Sequence, residues 1–360
     1  MRIAPVIIYK NDINFSSKKI LTKPLISEVK LTGTPNLSTY MPLMSNKMKI
    51  NENIKFFLNG LEKINTKNKK ENKPIKIADI GCCDGVLCRT LRKYLPSNTK
   101  IYGLDLSAEM LDSAKSLDRE NGISSIYSVG NAFELPYKND KMDAILLSSV
   151  MHEIYSYANT EFNQPEYSQK SIECFLKEAY ESLNSGGVLI IKDPATAQEN
   201  RFEKVKIYNA ATNDGTLAPL KNIDELKNAD ITKLCTLDKL KRFCMDFKPA
   251  KGNVYFNKNE ECIMPRWLVT EFVRHRKWLA TPENWKYEIK EQYGTITPEE
   301  MNKLAKKVGF NVIKAENIFS PNKNNIYAIK ENEFEIKDSN DRELNLEDFP
   351  MFLEVILSKQ

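Results

Sequence analysis

Residues Pro74–Asp105 read PIKIADIGCCDGVLCRTLRKYLPSNTKIYGLD. An apolar run, Ile75 to Ile80, ends in a turn of small residues, Gly81-Cys82-Cys83-Asp84-Gly85, which opens into a segment of helical period. A second short apolar run then ends on Asp105. The order is strand, turn, helix, and a second strand closed by an acid. In an open parallel sheet ligands sit at the carboxyl ends of the strands, so Gly81–Gly85 and Asp105 are expected to face one crevice. An ionised carboxylate there suits vicinal ribose hydroxyls, because it can accept a hydrogen bond from each.

The glycine spacing separates two nucleotide-type readings of this turn. A dinucleotide fingerprint asks for G-x-G-x-x-G. Counted from Gly81, its second and third positions fall on Cys83 and Val86, a poor match. The segment instead resembles motif I of the class I S-adenosylmethionine (SAM) methyltransferases, D-x-G-x-G-x-G, through Asp79, Gly81 and Gly85. Cys83 stands where the middle glycine is expected, so its side chain has to point away from the cofactor.

The resemblance continues downstream in order. Ser107 is placed to cap a helix carrying Met110, Leu111, Ala114 and Leu117, and Ser124–Val129 reads as a third strand. Gly130-Asn131-Ala132-Phe133-Glu134-Leu135-Pro136 resembles the family's G-D-A-x-x-L-P turn, whose acid binds the adenine amino group; Asn131 replaces it with an amide oxygen that can still accept. A fourth strand, 141–150, leads into Met151-His152-Glu153-Ile154-Tyr155. Ile172, Phe175, Leu176, Ala179 and Leu183 form a helix face, which Asn184-Ser185-Gly186-Gly187 is expected to stop as a C-cap, before a fifth strand Val188–Lys192 closed by Asp193-Pro194.

The resemblance implies an α/β, Rossmann-like fold: a seven-stranded, mostly parallel sheet with an antiparallel last strand, and a mainly helical lid inserted after the fifth strand. It implies SAM as cofactor and S-adenosyl-L-homocysteine as its product. Carried onto this chain, the cofactor residues are Asp79, Gly81, Cys83, Gly85, Asp105, Leu106, Asn131, Ala132 and Ser148. His152, Glu153 and Tyr155 are the catalytic candidates, His152 because many small-molecule members of the family carry histidine there and imidazole titrates near neutral pH. Each has a plainer alternative: His152 ordering the loop, Glu153 accepting from its neighbour, Tyr155 and Tyr157 covering a seam.

Composition agrees with a globular enzyme: 360 residues, 41% hydrophobic and 28% charged. A net charge of +5 against 53 basic and 48 acidic residues does not call for nucleic acid, and Asn65–Lys73 reads as a solvated linker. Seven cysteines, an odd number, argue against a secreted disulfide framework, and two histidines, His152 and His275, leave a metal site little to draw on. No apolar run approaches the ~20 residues of a membrane span and no signal-type segment opens the sequence, so a cytoplasmic protein without membrane association is expected.

Outside the core, 1–64 is expected to form an N-terminal cap, with a strand at Ile3–Tyr9 and a helix at Asn51–Ile64. The first part of the core spans 65–193, a lid or substrate subdomain 194–296, and the last helix and strands 297–360. The excursion shows helical segments at Ile223–Phe247 and Pro265–Ala280, and Arg274-His275-Arg276-Lys277-Trp278 reads as an exposed basic face with His275 turned to the core. Thr297-Pro298-Glu299-Glu300 is a capping box before Met301, Leu304, Ala305 and Val308, followed by Gly309. Asn311–Ile318 and Met351–Ser358 read as the last strands, with Asn325–Glu343 as a hairpin-like insertion between them.

The N-P-P-Y tetrapeptide of amino-methyltransferases acting on bases and glutamine is missing, Ser148-Ser149-Val150-Met151 standing there, and no Pro-Cys nucleophile occurs. The expected activity is therefore methyl transfer from SAM to oxygen, nitrogen or carbon of a small-molecule acceptor. The alternatives are a methyltransferase of protein or RNA, or a non-catalytic SAM-binding protein. Oligomeric state is left open, a homodimer included.

Overall fold

The computed structural model describes residues 50–157, 164–197, 200–208, 222–278, 282–319, 334–345 and 348–360. The main sheet has seven strands in the order β3-β2-β1-β4-β5-β11-β9. These are β1 (Lys76–Ile80), β2 (Lys100–Asp105), β3 (Ile126–Val129), β4 (Met142–Ser148), β5 (Leu183–Pro194), β9 (Phe310–Ile318) and β11 (Phe352–Lys359). The first five pair in parallel, and β11 runs antiparallel to both β5 and β9. The chain order reverses at β1, with β2 on one side and β4 on the other, and it is at such a switch point that ligands bind in open α/β sheets.

The central strands read as continuous apolar runs because both faces of the sheet are covered. One face packs Ala78, Ile80, Ile145, Leu147, Leu189 and Ile191 against Ile172, Phe175, Leu176 and Ala179 of the helix Gln169–Ser182 and against Met301 and Ala305. The other packs Ile77, Ile101, Leu146 and Ile190 against Leu87, Cys88 and Leu91 and against Ile54, Phe57 and Leu61 of the helix Ile50–Leu61. That first helix therefore lies on the sheet face; the rest of the expected cap, the Ile3–Tyr9 strand included, falls outside the described residues. Local signals hold where they were expected. The Ser107 side chain accepts from Met110 N, Thr297 and Glu300 cap each other reciprocally, and Gly309 ends its helix at φ 111°.

Three expectations change. The helix Gln169–Ser182 stops at an extended Leu183, and Asn184–Gly187 form no C-cap; they are an irregular stretch inside β5, where pairing with β4 jumps from Met142–Leu183 to Ala144–Val188. Gly186 is needed there for close approach as well as for its φ of 77°, since a Cβ would meet the Asn65 carbonyl oxygen at 2.3 Å. Ile223–Phe247 is not one helix but Ile223–Asn228, a 3₁₀ turn at Ile231–Lys233, and Thr236–Asp246. The first break falls at Asp230, whose side chain starts the new turn by accepting from Thr232 N, and the second at Leu234-Cys235, both in extended backbone.

The third concerns the basic run. Arg274 and Arg276 are buried: Arg274 donates to the carbonyls of Ala195, Pro350 and Met351, and Arg276 to that of Val273. The excursion holds helices as expected, and also a four-stranded sheet, β10-β6-β8-β7, built from β6 (Lys204–Tyr208), β7 (Tyr255–Phe256), β8 (Cys262–Pro265) and β10 (Glu335–Lys337). With β10 drawn from beyond the Pro298–Val308 helix, the part of Asn325–Glu343 that is described joins this second layer, whose core includes Leu240, Phe243, Leu268 and Phe272. No helix among the described residues is long and apolar enough to cross a membrane.

Candidate active site at the carboxyl ends of the strands

The turn after β1 is shaped by backbone that only a few residues tolerate. Gly81, Cys83 and Gly85 all have positive φ, 69°, 52° and 76°. Gly81 and Cys82 donate to the Leu104 carbonyl, which ties the turn to the end of β2. A Cβ on Gly81 would lie 2.5 Å from Val150, so the turn also abuts the end of β4. Cys83 thus adopts the left-handed conformation that the missing glycine would adopt, and its Sγ leans to within 4.0 Å of Met110 Sδ on the next helix. Asp84 accepts from Val86 N and pairs with Arg89, which reaches Asp118 as well.

Asp105 closes β2 with its carboxylate locked. Oδ2 accepts from Cys83 N and Oδ1 from Ser107 N, each at 2.8 Å, which leaves a lone pair on each oxygen for a hydroxyl. Leu106 follows, half-buried. Gly130 donates to the Asp105 carbonyl, bringing the loop after β3 to the same place, and Asn131 Oδ1 accepts from Phe133 N, with Ala132 between them. Ser148 ends β4 half-buried. Gly81, Cys83, Gly85, Asp105, Leu106, Asn131, Ala132 and Ser148 therefore gather at one end of the sheet. Asp79 does not join them: it is buried behind the turn against Cys88 Sγ at 3.5 Å, and burial raises its carboxyl to about 7.

The second half of the site lies after β4. Ser149 turns the chain at φ 57° into the helix Met151–Tyr157. Asp193, fully buried at the end of β5, accepts from Met151 N at 2.7 Å and faces His152 Nδ1 at 3.0 Å, fixing the helix and the ring together. On the other side His152 Nε2 lies 3.4 Å from Glu291 Oε2, while Glu291 Oε1 accepts from Tyr157 OH at 2.9 Å. The Tyr293 ring sits 5.2 Å from the imidazole, and His152 is only 5% exposed. Burial disfavours the imidazolium, but the charges and hydrogen bonds of Asp193 and Glu291 outweigh it and hold His152 well above its ordinary value.

Glu153 points to the other half. Burial first, then the charges of Glu291, Asp105 and Glu288, raise its carboxyl to about 8, with His152 pulling the other way. Tyr155 packs edge-on to Tyr167 and burial raises its phenol to about 12. His275 is fully buried with Nδ1 and Nε2 at the carbonyls of Glu271 and Glu288, a core histidine as its helical register implies. Sequence reasoning missed Glu291 and Tyr293. They sit far along the chain in an irregular stretch whose only marker is its position just before the Thr297 capping box.

The donor set fits SAM: a locked carboxylate with spare lone pairs at the end of β2, an amide and backbone after β3, and a left-handed turn whose thiol is turned onto Met110. Residues 71–246 match a family model described as a methyltransferase domain. In outline the chain is similar to a SAM-dependent methyltransferase from Clostridium acetobutylicum ATCC 824, with 12% identity, 90% of this chain and 99% of that one covered, and a TM-score of 0.43. It is also similar to one from Mesorhizobium loti, with 17% identity, 79% and 91% covered, and a TM-score of 0.40. No curated protein matches the sequence. Residues 71–246 are thus a methyltransferase domain of the class I SAM-dependent kind, with S-adenosylmethionine as cofactor.

Proposed function

We propose that this methyltransferase acts on a small-molecule acceptor enclosed between the strand ends and the 194–296 excursion, which serves as a lid. The observation that carries this reading is the roof over His152, where Glu291 and Tyr293 leave the ring 5% exposed. An acceptor reaching that ring has to be small enough to be enclosed, which a nucleotide in a folded RNA or a residue on a protein surface is not.

In this proposal Asp105 accepts from the ribose hydroxyls, Asn131 and Ala132 hold the adenine edge, Leu106 covers its face, and Gly81–Gly85 and Ser148 border the methionine portion. Bound SAM supplies an electrophilic methyl group on a sulfonium, already a good leaving group. The chain's remaining task is to align the acceptor and take a proton where the nucleophile carries one. His152, with Asp193 at Nδ1 and Glu291 at Nε2, is a charged group that orders the site rather than a base. Glu153, with a carboxyl near 8, is the better proton acceptor at neutral pH. Tyr155 remains a phenol and can only orient.

Methyl-labelled SAM incubated with the enzyme and separated small-molecule, protein and RNA fractions tests this. Label in the small-molecule fraction, lost in Glu153→Gln and His152→Gln, is expected. Label confined to protein or RNA overturns the acceptor class.

A further inference from the structure

The carboxylate of Glu271, in the middle of the lid helix Arg266–Trp278, is 1% exposed. Its Oε2 accepts from Tyr293 N at 2.8 Å and its Oε1 from Gly294 N at 2.6 Å. Two successive backbone N–H groups held by the two oxygens of one carboxyl group make a geometrically strict clamp. Gly294 permits the approach: a Cβ there would meet Thr196 at 2.8 Å and Glu271 Oε1 at 2.9 Å.

The same stretch grips the His152 helix from the other side. Gln292 N donates to Ser156 Oγ at 2.9 Å, and Ser156 Oγ donates to the His152 carbonyl at 2.7 Å. Tyr293 lies between two imidazoles, 4.7 Å from His275 and 5.2 Å from His152, and its hydroxyl bonds to Glu288. Residues 291–294 are therefore a short strap held at one end by the lid and at the other by the active-site helix, with Glu291 aimed at His152.

We infer that Glu271 is a positioning residue: through Tyr293 and Gly294 it holds Glu291 against His152, so that the lid helix governs the charge of the active-site imidazole without touching it. The groups facing His152 are Asp193 from β5, Glu291 and Tyr293 from the strap, and Glu153 and Ser156 from its own helix. Of these, only the strap pair depends on Glu271. The inference does not rest on the acceptor or on methyl transfer.

The chain has two histidines, so the full-length protein labelled with ¹³C-histidine gives two imidazole signals, and the one lost in His152→Gln is that of His152. Titration by NMR without acceptor or cofactor then reads its midpoint directly. Glu271→Gln, which keeps volume but can accept only at one oxygen, is expected to lower that midpoint by about one pH unit, the scale of losing one nearby opposite charge. Gly294→Ala, which wedges the clamp apart while leaving every charge in place, lowers it by a smaller amount. Leu240→Ala, a cavity in the lid core away from the strap, leaves it unchanged. An unmoved His152 midpoint in folded Glu271→Gln overturns the inference, as does an equal fall in Leu240→Ala. Should Glu271→Gln not fold, an unmoved midpoint in Gly294→Ala overturns it alone.

Discussion

Buried carboxylates stand at both ends of the same sheet, under opposite conditions. At the amino ends Asp143, fully buried, accepts from Lys76 N at 2.8 Å and from the amides of Asn68 and Asn184, each at 3.0 Å. The donors it accepts from are neutral. At the carboxyl ends Asp193 and Glu291 act on His152, while Glu291, Asp105 and Glu288 act on Glu153. Asp143 clamps the Asn68 loop and the irregular start of β5 onto the sheet. The opposite group is held in tension, the condition in which perturbed acids cluster at functional sites.

The largest test exchanges the two ends. Asp143→Ala strands three half-buried donors and is expected to cost about 2 kcal/mol of stability, while SAM affinity stays within about twofold. Asp105→Ala is expected to invert that pattern: SAM binding by calorimetry weakens about 100-fold, the scale of two hydrogen bonds to a charged group, with a smaller stability loss because the site is half-buried. Equal effects of both variants on both readouts would erase the distinction.

A second test sharpens it through pH. Glu153, raised to about 8, and Asp79, raised to about 7, hold protons in the folded chain that the unfolded chain releases near 4. The folded state then binds more protons, so their contribution falls as pH rises from about 4 to 8. His152 acts in the same sense, its stabilisation complete below about 6.5 and lost as pH climbs through its raised folded value. Urea unfolding at pH 5 and pH 8 is expected to show lower stability at pH 8, and Glu153→Gln to reduce that drop by about 1–2 kcal/mol. An unchanged drop in Glu153→Gln would mean the acids at the site are not in tension.

The two regions also differ in how far sequence alone discloses them. The core was legible because its signals are local: strand, small-residue turn and helix at 74–92, the Ser107 cap, the Thr297 capping box, Gly309. The site was half legible for the same reason, since everything on the turns after β1 to β4 follows a strand within a few residues. Glu271 and Glu291 gave no such sign; Glu291 meets His152, and Glu271 the strap that carries it, only because the lid folds back. Arg274 and Arg276 read as surface because charge normally is, yet a guanidinium can be buried when distant carbonyls, here those of Ala195, Pro350 and Met351, converge on its fork. Ile223–Phe247 kept a helical apolar rhythm across two breaks, one at Asp230, whose side chain competes with helix for a backbone N–H group, and one at the extended Leu234-Cys235.

The smallest expected effect is at Cys83, where the motif and the chain disagree. A left-handed non-glycine residue costs about 1 kcal/mol, while glycine in its place returns a similar amount to the entropy of the unfolded chain. Cys83→Gly is therefore expected to change stability by no more than about 0.5 kcal/mol. Because Sγ is already turned onto Met110, SAM affinity should shift by less than about twofold. A β-branched residue cannot make that turn without clashing with its own backbone, so Cys83→Val should lose both stability and binding. If Cys83→Gly instead tightens SAM strongly, the thiol is intruding on the cofactor, and the carboxyl end carries steric tension as well as electrostatic.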